Sequence, residues 1–121
     1  MDREEELHFD TNDLKGNRII CTEARWQDHI VGSAKNYMQR HREFDGNEDV
    51  ILDALRKPIT GIRYRSHKKG FERSMIYYGK GITDRYSRIV IRFDDETCNG
   101  TGEFVTAISV PGMHDGEEPE L

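Results

Sequence analysis

The groups able to do chemistry in this 121-residue chain are its five histidines (8, 29, 41, 67 and 114), its five tyrosines and a basic middle. No two histidines stand four apart on a common helical face, and Cys21 and Cys98 lie 77 positions apart, so no zinc signature is present and no metal or other cofactor is expected. Neither a Walker-type nor a dinucleotide-type glycine loop occurs, and no Gly-x-Ser-x-Gly elbow marks a serine hydrolase. Arg63, Arg65, His67, Lys68 and Lys69 run into one turn, and Arg73, Tyr77, Tyr78 and Lys80 follow. Cations contact phosphates and tyrosines stack on unpaired bases. These residue types suit metal-free RNA cleavage, which needs a base for the 2′-hydroxyl, an acid for the departing 5′ oxygen and a cation for the phosphorane charge. Histidine serves the first two near neutrality, and arginine or lysine the third. Solvated charges on one sheet face are the plain alternative for any single cation.

The elements that must position these groups follow from periodicity. Leu7-His8-Phe9 reads as a short edge strand, and Arg18 to Thr22 as another β-rich stretch. Trp26, Ile30, Ala34, Tyr37 and Met38 recur at helical spacing, with Thr22 as cap, Glu23 in the first turn and Gly32 as a weak point. Asn47, Glu48 and Asp49 open a second helix; Val50, Ile51, Ala54 and Leu55 form its apolar stripe, and Pro58 stops it. The period then falls to two. Strands are expected from Ile62, over Glu72 to Gly79, over Ser87 to Phe93 and over Glu103 to Val110, with short turns between them. The expected fold is α+β: two N-terminal helices packed on one face of a four-stranded antiparallel meander sheet. Residues 1–17 form an N-terminal segment, 18–110 the single domain, and 111–121 an acidic tail.

Charge is unevenly placed. Residues 1–34 carry 4 basic and 8 acidic side chains, 35–92 carry 14 and 7, and 93–121 carry 0 and 8, so the total of -5 resolves into -4, +7 and -8. An acidic total therefore does not exclude nucleic acid. The tail reads as solvated chain, as a mask over the basic face, or as a contact for a basic partner. No apolar run reaches the roughly 18–20 residues of a membrane span, and Met1 to Glu6 are acidic without an apolar signal core. A cytoplasmic protein without a membrane partner is expected.

Taken in order, Trp26-Gln27-Asp28-His29-Ile30, Arg40-His41-Arg42-Glu43-Phe44, Val50 to Leu55 with Lys57-Pro58, Met75-Ile76-Tyr77-Tyr78, Ile89-Val90-Ile91 and Phe104-Val105-Thr106-Ala107 resemble the barnase–EndoU–colicin–RelE-like (BECR) small nuclease domains of phage and toxin proteins. The resemblance covers residues 18–110. It implies a metal-independent ribonuclease acting by general acid/base transesterification on an RNA substrate, with an inhibitor or antitoxin protein as a further partner. It implies His41 as acid/base residue, His29 as the second, a cation from Arg65 or Arg73, and Tyr78 and Thr106 from the sheet. Arg63, Arg65, Lys68, Lys69 and Lys80 would bind RNA. Two features depart from the family: Arg42 stands where a proline is expected, and twelve positions separate His29 from His41. On one straight helix that is about 18 Å of rise and about 120° of rotation, so both histidines could meet one phosphate only if the helix breaks near Gly32. The alternative is a catalytically inactive RNA- or protein-binding module on the same scaffold.

Overall fold

The computed structural model describes residues 6–32 and 41–120. Seven strands form one sheet: β1 (Leu7–Asn12), β2 (Arg18–Thr22), β3 (Arg63–Ser66), β4 (Ser74–Lys80), β5 (Tyr86–Phe93), β6 (Thr101–Val110) and β7 (Glu117–Glu120). Their order across the sheet is β1-β2-β6-β5-β4-β3-β7. All neighbours are antiparallel except β2 and β6, which run parallel. This overturns the expected four-stranded meander carrying two helices. The sheet is mixed and larger, because β1 and β2 join it beside β6 and β7 closes its other side. The helices are also slighter than the pattern suggests. α1 spans only Glu23–Trp26 and passes into a π-helical turn, Gln27–Val31, while α2 spans Glu48–Arg56.

Local chemistry accounts for both helices. Thr22 Oγ1 accepts from the Arg25 amide at 3.1 Å, which caps α1. The π turn ends at Gly32, whose φ of 83° reverses the chain direction at a position where a side chain would be strained. The straight helix that separates His29 from His41 is therefore not formed. Ala34, Tyr37 and Met38, expected on its apolar face, lie outside the described residues. In α2, Glu48 and Asp49 occupy the first turn and Arg56 the last, as the helix dipole favours. Asn47 precedes α2 but donates its side-chain amide to the Glu43 carbonyl instead of capping.

The sheet separates two apolar layers. On one side, Trp26, Ile30, Phe44, Ile51 and Leu55 pack against Met75, Tyr77, Ile89, Ile91, Phe104 and Ala107. Gly79 allows the closest approach of α2, since a Cβ there would stand 2.4 Å from Ala54 Cβ. On the other side, Tyr64, Ile76, Tyr78, Val90 and Val110 form a smaller cluster. The adjacent tyrosines are thus both buried, one on each side, as strand alternation requires. The acidic end, expected as solvated tail, instead pairs with β3 as an edge strand, and Pro119 is tolerated there because an edge needs no donor on its outer side. Among the described residues no helix is long and apolar enough to cross a membrane.

Candidate functional site

β2 runs beside β6 for only three registered pairs, from Arg18 opposite Thr101 to Ile20 opposite Glu103. Two residues later the chain turns into α1, so β6 loses its neighbour on that side from Phe104 onward. The gap is a cavity of about 390 Å³ lined by Ile20, Thr22, Arg25, Asp28, His29 and Glu103 among others. A second cavity of about 310 Å³ shares Ile20, Arg25 and Glu103 with it and adds Arg73, Arg92, Asp94 and Thr101. The two form one polar cleft across the ends of β2, β5 and β6.

Each polar group in the cleft is held by identifiable backbone. Arg25 belongs to the capped turn of α1, and its Nη1 lies 3.1 Å from His29 Nε2. A guanidinium only donates, so Nε2 is the acceptor in that contact. Glu103 lies directly opposite Arg92 on the antiparallel neighbour of β6. Among the described residues, neither side chain has a hydrogen bond or ion pair. Arg73 is fixed through its backbone, whose carbonyl accepts from the Phe93 amide at 2.7 Å, and its Nη1 donates to the Asp94 carbonyl at 2.9 Å. The cleft therefore gathers three arginines, a histidine and the carboxylates of Asp28, Asp94 and Glu103, with Arg92 and Glu103 uncommitted among the described residues. Such a set can bind a phosphodiester and move protons on either side of it.

Of the residues expected in a site, His29 and Arg73 come together here. His41 begins a 3₁₀ turn, Arg42–Phe44, and lines neither cavity. The turn is tied elsewhere, for Arg42 donates to the Val31 carbonyl and Glu43 accepts from Ser109 Oγ at 3.2 Å. Tyr78 is opposite Arg88, four residues along β5 from Arg92, which is about 13 Å at the usual strand rise. Its hydroxyl donates to Glu117 and accepts from the His114 amide at 3.0 Å. Burial, reinforced by Glu117, pushes its pKa up. Thr106 pairs with Val90 at a bulge in β6.

The expected RNA-binding cations are divided. Lys68, Lys69 and Lys80 are exposed. Arg65 donates to Glu120 at 3.1 Å and to the carbonyls of Glu72 and Glu96. Arg63 is internal, 2% exposed, 3.6 Å from the fully buried Asp13 carboxylate. Both cysteines are unpaired and buried. Burial pushes the Cys21 thiol up to about 12 and raises Cys98 as well, which leaves neither poised as a nucleophile. Among the described residues no group of three or more His, Cys, Asp or Glu is placed to hold a metal ion.

Arg25, Arg92 and Glu103 are absent from the sequence-derived set. The spacing of Arg25 and His29, four apart on one helical segment, was a usable signal. Glu103 had none, because it depends on the parallel pairing of strands more than eighty residues apart in sequence. Comparison with known protein families, curated proteins and solved structures finds no match to the chain.

Proposed function

We propose that this protein is a metal-independent endoribonuclease whose site is the cleft between α1, β5 and β6. The observation that carries the reading is the convergence of His29 and Glu103 with Arg25, Arg73 and Arg92 around two adjoining cavities. The arginines take the phosphate and the charge that develops on it. Glu103, exposed and uncommitted, accepts the 2′-hydroxyl proton. The oxygen attacks phosphorus, a 2′,3′-cyclic phosphate forms, and the bond to the 5′ oxygen breaks. His29 supplies the proton to that leaving oxygen. A phosphate that takes Arg25 draws it away from His29 Nε2, 3.1 Å from its Nη1, and the adjacent anion favours the protonated ring that this step needs. This assignment keeps His29 and Arg73 from the sequence-derived set and uses Glu103, Arg25 and Arg92 where that set has His41, Tyr78 and Thr106. A cytoplasmic setting, where RNA is abundant and thiols stay reduced, suits the unpaired cysteines.

The test is cleavage of single-stranded and structured RNA in EDTA, with end-group analysis of the products. Cyclic phosphate ends are expected, with a loss of at least about a hundredfold in His29→Ala and in Glu103→Gln. RNA that stays intact, or cleavage indifferent to both substitutions, refutes the reading. Retained binding without products would identify the inactive module instead.

A further inference from the structure

The three carboxylates of β7 each meet a basic side chain of β3, β5 or the turn that follows β3. Glu117 accepts from Arg88 through Nε at 3.1 Å and through Nη2, and from the Tyr78 hydroxyl. Glu118 lies 2.9 Å from His67 Nε2, and Glu120 accepts from Arg65 at 3.1 Å. The first of these is a built anion site rather than a surface ion pair, with the Arg88 and Glu117 side chains 10% and 3% exposed. One guanidinium edge and one phenol hydroxyl converge on one carboxylate, the geometry by which arginine also holds a phosphate. Beside it is a cavity of about 120 Å³ lined by Ser66, His67, Lys68, Arg88 and Glu117 among others, through which a ligand can approach. Lys68 and Lys69 stand exposed in the adjoining β3–β4 turn. The strand that fills this place is Glu-Glu-Pro-Glu, with weak intrinsic β preference. Its charge therefore explains its seat better than its backbone does.

We propose that β7 is a tethered mimic of a nucleic-acid backbone: it occupies a phosphate-binding strip made by Arg88 and Tyr78, Arg65 and His67, and masks that strip from single-stranded RNA. The strip lies apart from the cleft described above, so an RNA strand bound here need not be cleaved. Single-stranded RNA fits better than a protein partner because Arg88 and Tyr78 are aimed at one compact anion, Arg65 and His67 meet further anions along the same edge, and the flanking lysines continue the positive charge. With β7 seated, the protein presents carboxylates at this edge; with β7 displaced, it presents two arginines and two lysines.

The test measures binding of a 2′-O-methyl oligoribonucleotide by fluorescence anisotropy across a salt titration. That probe has no free 2′-hydroxyl and cannot be cleaved by transesterification, so the outcome is independent of the catalytic reading. The full chain carrying Glu117→Gln, Glu118→Gln and Glu120→Gln is compared with wild type. Freeing Arg88 and Arg65 steepens the slope of log affinity against log salt by about 1.4, so the gain in affinity shrinks about sevenfold between 50 and 200 mM salt. If the triple variant does not fold, Glu118→Gln with Glu120→Gln alters only half-exposed and exposed groups and is expected to give half that slope change. A control with Asp49→Asn, Asp53→Asn and Asp84→Asn removes the same charge elsewhere and is expected to show no gain. Unchanged binding in the β7 variants, or an equal gain in the control, overturns the proposal.

Discussion

Replacing Asp13 by asparagine tests the internal frame of the site with a change of almost no volume. The Asp13 side chain is fully buried. Oδ1 accepts from the amides of Lys15 and Asn17, both at 2.9 Å, and Oδ2 accepts from Asn17 Nδ2 at 3.2 Å and Tyr77 Oη at 2.6 Å. Arg63, also buried, donates to the Cys98 carbonyl at 3.0 Å and sits 5.7 Å from the Phe93 ring centroid, and its Nε has no hydrogen-bond partner among the described residues. Asparagine removes the one carboxylate beside Arg63 among the described residues and puts an amide donor where donors already converge. Breaking a buried pair from one side costs about 3–5 kcal/mol. A domain of this size is stable by roughly 5–15 kcal/mol, so about a fifth or more of the stability is at stake. The assay is urea unfolding followed by fluorescence of Trp26, which is the single tryptophan and fully buried. With a slope of about 2 kcal/mol per molar, the midpoint falls by about 1.5–2.5 M. Adding Arg63→Met to Asp13→Asn removes the stranded cation together with its orphaned Nε, and recovery of at least half the loss is expected. A midpoint shift below about 0.5 M in Asp13→Asn, or no recovery in the double variant, refutes the claim that this pair is electrostatically coupled.

Two further substitutions probe other contacts. Gly79→Ala places a Cβ 2.4 Å from Ala54 Cβ and 2.8 Å from Ala54 Cα, so α2 must lift from the sheet; a loss of about 1–3 kcal/mol is expected in the same urea assay, and an unchanged midpoint would show that α2 docks more loosely than described. His8 stacks on Trp26 at 4.3 Å and bridges Glu23 at 2.9 Å and Glu48 at 2.6 Å. Burial lowers its pKa, but the two carboxylates outweigh burial and hold it above the ordinary 6.5. Its contribution is therefore complete below pH 6.5 and is lost as pH rises through the higher folded value. Stability measured across that interval should decline in the wild type and decline less in His8→Gln; parallel profiles would contradict the bridge.

How much of this was legible depended on whether the determining contacts were local. Asn47 to Pro58 carries its helix in its own spacing, and the alternation of Ile89, Ile91 and Phe93 marks β5 and its buried side without reference to any other segment. Thr22 announced its cap, and Gly32 its break. The sheet's full width was not legible, because β2 lies beside β6 through a parallel pairing that no turn connects, and parallel neighbours leave no hairpin signal. β7 was hidden for a different reason. Nothing in Glu-Glu-Pro-Glu prefers a strand, and its place depends on distant partners: the β3 edge it pairs with, Arg65 and Arg88, and the Tyr78 hydroxyl. The site followed the same division: His29 and Arg73 were recognisable as types, but their companions Arg92 and Glu103 are selected by register.

That division also changes what the basic middle means. Residues 35–92 hold fourteen arginines and lysines, and five of the described ones are put to three different uses. Arg63 faces inward to Asp13, and Arg65 and Arg88 face the carboxylates of β7. Arg73 and Arg92 line the cleft with Arg25, which comes from the acidic first third. Charge summed along the chain therefore locates the cations without saying which are free to act. The Asp13 turn links the internal pair to the cleft: it holds Asn17, whose Oδ1 accepts from the Gly100 amide at 2.9 Å, while Arg18 donates its amide to the Gly100 carbonyl at 3.1 Å. These bonds anchor β2 beside β6 at the Thr101 end of a ladder whose other end is Ile20 opposite Glu103. Asp13 is thus linked to the site through strand register, and a substitution there should disturb the cleft even though Asp13 lines neither of its cavities.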